Sequence, residues 1–159
     1  MHSHRDARVP ILAELRLTQQ IVAFWVVFLL GLLFHTQIAL MPLFHGLGVL
    51  APHGHVATSI TEITPVLWGM VAFFVLPLVA ILALVVHPSR RLCQAHFGLT
   101  VVYTLLNIGH LAADLLIKPV AWYQIVLMVL LLVVGLLLNR FAYQWWRMYS
   151  PHPRPLSAT

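Results

Sequence analysis

Four long apolar runs separated by short polar breaks organise this chain, at roughly 21–43, 64–86, 94–117 and 120–138. Each holds about 20 apolar residues, enough for an α-helix rising 1.5 Å per residue to cross the ~30 Å hydrocarbon layer of a bilayer. The breaks carry start and stop chemistry. Pro42 ends or kinks the first run. Ser59-Ile-Thr-Glu62 reads as a capping box that opens the second helix, with Glu62 reaching back to its start. Pro77 predicts a kink within that helix. Pro119 suits the first turn of the fourth.

The remaining segments are short. Residues 1–19 form a polar lead-in expected to lie in the cytoplasm, and 20–149 form a single transmembrane domain. Residues 44–60 make the longest connection, with three glycines, one proline and the histidines His45, His53 and His55. After Leu138, Asn139 and Arg140 lead into Tyr143, Trp145, Trp146 and Tyr149, which read as an interfacial aromatic belt. Residues 150–159 read as a disordered cytoplasmic tail. Short links after the second and third runs make consecutive helices antiparallel neighbours. The expected fold is all-α, an integral membrane four-helix bundle running up-down-up-down, with the first and third helices facing each other diagonally.

Composition supports a lipid environment. The chain of 159 residues is 61% hydrophobic and 8% charged, whereas soluble domains carry about 25% charged residues. The net charge of +5 does not mark a nucleic-acid binder, because the basic residues form no stripe and sit at the ends of apolar runs. Eight of the nine fall in the lead-in, the turn after the second run or the C-terminal region, and only Lys118 falls on the other side. By the positive-inside rule both termini are cytoplasmic and the 44–60 loop is outside, in what reads as a bacterial inner membrane. The first run is longer than a signal-peptide core and no small-residue cleavage site follows it, so it is expected to remain as an anchor. The single cysteine, Cys93, excludes an intrachain disulfide.

Candidate chemistry lies in the polar residues inside the runs, since an ionisable group there is costly and marks a functional site by default. His35 lies roughly 12 Å and His110 roughly 10 Å from the outer ends of the first and third helices. Asn107 and Asp114 share a helix face with His110 at i−3 and i+4. Met70 of the second helix reaches the same level. Two facing imidazoles are the axial pair of a low-spin haem b, with Asp114 or Asn107 orienting a ligand. His96, fourteen residues before His110 and nearly on its face, has a spacing similar to that of paired ligands in multi-helix b-type cytochromes. The position fourteen before His35 is Ile21, which cannot ligate, so one haem is expected rather than two.

The leading expectation is therefore a small membrane redox protein holding a b-type haem between His35 and His110, beside a larger redox or transport complex. A second is divalent-metal or proton handling, with His45, His53, His55 and Glu62 capturing an ion at the outer face for His35, His110 and Asp114 to relay. A third is a structural or assembly subunit with no cofactor, its polar residues serving as interhelical hydrogen-bond glue.

Overall fold

The computed structural model describes residues 8–48 and 57–149, with side chains from 12 onward. They form four helices: α1 (Arg8–Phe44), α2 (Ile60–Val86), α3 (Arg90–Leu116) and α4 (Trp122–Met148). All four are long and apolar enough to cross a membrane. There is no strand among the described residues.

The helices outrun the apolar stretches that define them. α1 has 37 residues, about 55 Å, well beyond the hydrocarbon thickness. The lead-in continues it because Ala13, Glu14, Leu15, Arg16 and Leu17 all favour a helix, and the next proline after Pro10 is Pro42. Pro42 lies near the last turn. Two residues after Phe44, Gly46 takes a left-handed φ of 73°, a conformation that costs glycine little. The His45 and Leu47 N–H groups then cap the Pro42 carbonyl, each at 3.0 Å.

The start of α2 departs from the expected capping box. Ser59 is the N-cap but its side chain bonds no backbone N–H. Glu62 reaches back instead to Thr58, accepting from its hydroxyl at 2.6 Å and its backbone N–H at 3.3 Å. At the next break Ser89 caps α3 by accepting from the Leu92 N–H at 3.3 Å.

α4 is the helix on which the bundle is built. It packs closely against both α1 and α3, while α2 packs more loosely against the same two neighbours. Glycine permits the close approaches. A Cβ on Gly31 of α1 would strike the buried Leu131 of α4. A Cβ on Gly135 of α4 would lie 3.0 Å from Thr104 Oγ1 of α3. Small residues at such crossings bring backbones together where lipid supplies no hydrophobic drive.

The contacts follow a regular order. Phe24, near the middle of α1, stacks on Phe141, and Gly31 meets Leu131 further along. On α3, Phe97 stacks on Trp146, Asn139 donates to Thr104 at 3.0 Å, and Asn107 meets Met128. α1 and α3 do not approach through their backbones but meet through long side chains across the middle. Trp25 and Phe28 pack edge-on against Tyr103 there, at 5.3 and 6.5 Å.

The looser α2 buries only Pro77, Ile81 and Leu84. Pro77 has no N–H to give to the carbonyl four residues back, which belongs to Phe73. Tyr103 of α3 donates its hydroxyl to that same carbonyl at 2.5 Å. A neighbouring helix thus satisfies the acceptor that the proline left open.

Candidate functional site

Near the end of the bundle where α1 and α3 terminate and α4 begins, three ionisable side chains converge. His35 Nε2 lies 3.2 Å from Asp114 Oδ2. His110 Nε2 lies 3.5 Å from Asp114 Oδ1. The two imidazoles meet edge to face, with ring centroids 5.1 Å apart at 84°. One ligand atom from each of the three residues lies within 4.8 Å of the others. Residues 110 and 114 share a face of α3 by their i,i+4 spacing, and α1 supplies His35 from across the bundle.

Burial in the site is uneven. The His35 side chain is 7% exposed, Asp114 14% and His110 54%. Although close, His35 Nε2 and Asp114 Oδ2 are both buried without an aligned hydrogen-bond partner. Buried polar atoms are ordinarily satisfied, and a proton shared between the imidazole and the carboxylate, or a cation held by both, would satisfy this pair.

Three cavities border this cluster. One of about 590 Å³ is lined by His35, His110 and Asp114 together with Lys118, Tyr123 and Gln124. It forms a vestibule at the bundle end. A second, of about 480 Å³, lies between α1, α2 and α3, and Met70 lines it with His35 and His110. The third, of about 420 Å³, lies beside Asn107 and His110.

The other candidates are placed apart from the three. Asn107 is buried one turn before His110, where its Nδ2 faces Met128 Sδ at 3.9 Å. His96 is buried about 21 Å along α3 from His110. Its Nε2 accepts from Trp25 Nε1 at 2.8 Å. In the neutral ring the proton is then on Nδ1, which has no partner. His45 is exposed just past α1, and Glu62 is occupied at the start of α2. His53 and His55 lie outside the described residues.

Several partners carried no signal in the sequence. Trp25 read as one apolar residue among many, yet it is completely buried and holds His96. Trp145 read as part of an interfacial belt, but it too is completely buried, with its ring 6.5 Å from that of His96. Tyr149 donates to Glu14, joining the start of α1 to the end of α4. Burial pushes the Tyr149 phenol above its ordinary range, and the Glu14 carboxylate adds to the shift. Lys118 was legible as the lone basic residue at its end of the bundle, but its place in the vestibule was not.

Comparison with protein-family models, curated proteins and solved structures finds no match for this chain.

Proposed function

We propose that this protein binds a divalent transition-metal ion inside the membrane, held by His35, His110 and Asp114, and exchanges it through the vestibule. The carrying observation is the convergence of three ligand side chains, two of whose atoms, His35 Nε2 and Asp114 Oδ2, are buried without an aligned hydrogen-bond partner. A metal bound at about 2.0–2.1 Å in tetrahedral geometry sets its ligand atoms roughly 3.3 Å apart. The two imidazole–carboxylate separations, 3.2 Å to Oδ2 and 3.5 Å to Oδ1, are close to that edge length, and with one ligand atom taken from each residue all three lie within 4.8 Å, so small side-chain rotations would close the set on one ion. Two imidazoles and one carboxylate suit Zn, Cu, Ni or Fe(II), and three protein ligands leave one position for water or for exchange. Lys118 in the vestibule opposes cation binding and sets a limit on affinity.

A haem between the same rings is less well served. Its iron takes one imidazole nitrogen on each face of a broad, flat macrocycle. Here both Nε2 atoms turn toward one carboxylate, and the rings touch edge to face. Haem would require both histidines to swing away from Asp114.

The order of side-chain contacts supports an up-down-up-down course. Contacts at rising positions of α1 and of α3 meet falling positions of α4. The basic residues support cytoplasmic termini in a bacterial inner membrane, which puts the metal site in the outer half.

The test is elemental analysis and an optical spectrum of the purified protein, followed by calorimetric titration with Zn(II). One equivalent per chain is expected, lost in the His35→Ala/His110→Ala double variant. Binding should weaken as pH falls, because imidazolium has no lone pair to give. A Soret band abolished by the same double variant would replace this reading with haem. A well-folded protein that binds neither would leave the cluster as a structural clasp between α1 and α3.

A further inference from the structure

The cluster joins two cavities of opposite character. His35, Thr36 and His110 line both the vestibule at the bundle end and the cavity between α1, α2 and α3. His110 is the open member of the cluster, its side chain 54% exposed. The vestibule adds polar groups to these three, with Lys118, Tyr123 and Gln124. The other cavity adds apolar ones: Val66, Met70, Phe73 and Phe74 of α2, with Leu32 of α1.

The apolar cavity suits a chain. From Val66 to Phe74 it follows α2 for just over two turns, about 12 Å. Its volume of about 480 Å³ lies in the range of small-molecule sites. Leu32 and Phe73 also line the neighbouring cavity with Phe28 and Tyr103, so the apolar path continues past them. Val66 and Met70 are 63% and 45% exposed, which leaves the cavity open at the surface of the bundle, where lipid lies. A ligand that fills it comes from the bilayer.

Charge decides what head that ligand carries. With a divalent ion among His35, His110 and Asp114, the ion's two charges and that of Lys118 outweigh the single negative charge of Asp114. Excess charge at membrane depth is costly, and three protein ligands leave the metal one open position. An oxyanion answers both needs, since it ligates the metal and offsets the charge. We propose that the metal site takes a membrane-borne anionic amphiphile, a single acyl chain with an oxyanion head. The head lies at the metal and Lys118, and the tail lies in the cavity along α2. This rests on the metal reading and names the ligand class of that same site.

The experiment is equilibrium binding of radiolabelled laurate to the full chain in nanodiscs of zwitterionic lipid, with and without Zn(II), against protein-free nanodiscs under the same conditions. Saturable binding of one molecule per chain is expected. It should be about tenfold weaker without Zn(II), the worth of one contact to a charged group. Dodecyl phosphate in a parallel arm distinguishes a carboxylate head from a phosphate; either binding supports the proposal, and the tighter one identifies the head. Dodecyltrimethylammonium should show no saturable binding. Lys118→Ala should weaken laurate about threefold, the worth of one exposed ion pair, although it removes a charge that opposes Zn(II). Gly69 lines the tail cavity, a Cβ there meets no atom within 4 Å, and α2 supplies no metal ligand. Gly69→Leu should therefore abolish laurate binding and leave Zn(II) titration unchanged. A chain that binds no Zn(II) overturns the metal reading and this one with it. Where Zn(II) binds, laurate uptake no greater than that of protein-free nanodiscs, uptake indifferent to Zn(II), unchanged affinity in Lys118→Ala, full binding in Gly69→Leu or saturable binding of the cationic probe would each overturn this proposal alone.

Discussion

Removing the Tyr103 hydroxyl tests whether a side chain on one helix replaces a backbone bond lost on another. The hydroxyl donates at 2.5 Å to the Phe73 carbonyl, whose own partner four residues on is Pro77. Interhelical hydrogen bonds in membranes average only about 0.6 kcal/mol and reach about 1.7. This one belongs near the top of that range, because without it a backbone acceptor stays unmet in apolar surroundings, at a cost of about 1–3 kcal/mol. Tyr103→Phe is therefore expected to destabilise the bundle by about 1.5 kcal/mol, with little change in packing. In a Pro77→Ala background the restored N–H of residue 77 can bond the Phe73 carbonyl, so the same change should cost no more than about 0.5 kcal/mol. The coupling of roughly 1 kcal/mol is read from a double-mutant cycle of reversible unfolding in mixed micelles. Equal costs of Tyr103→Phe in both backgrounds, within about 0.3 kcal/mol, would refute the substitution argument.

Further outcomes test the site and the packing around it. Lys118→Ala should tighten Zn(II) binding, most visibly at low ionic strength where the lysine charge is least screened. Calorimetry at two salt concentrations checks both effects. Gly135→Val should destabilise the bundle by about 1–3 kcal/mol by forcing α3 and α4 apart. Its signature is loss of the Asn139–Thr104 contact, read as faster exchange of the Asn139 side-chain amide. Tyr149 binds its proton more tightly when folded than when unfolded. As pH rises past the ordinary phenol value of about 10, the unfolded state loses that proton first, so stability falls. An alkaline unfolding series should show this fall in the native chain and lose it in Tyr149→Phe.

The membrane class, the number of helices and the approximate depth of each polar residue follow from the chain alone. Hydrophobic run length reports directly on bilayer thickness, and position along a helix converts to depth at a fixed rise. That is why His35, His110 and Asp114 could be named together from separate parts of the sequence. The helix limits were less legible. Apolar runs mark where lipid is, but a helix continues through polar residues until a breaker stops it, as α1 and α4 both do.

Rotation about the helix axis was decided only by tertiary packing. Depth alone leaves a side chain free to face any direction, and one turn of a helix covers all of them. Packing against α4, permitted by Gly31 and Gly135, turns one face of α1 and one face of α3 inward. That choice sends His35 and His110 to the same carboxylate and gives His96 to Trp25. The sequence by itself determined a chain of four membrane-length helices with most of its ionisable span residues gathered toward one end. Only the packed structure decided which of its histidines share a site.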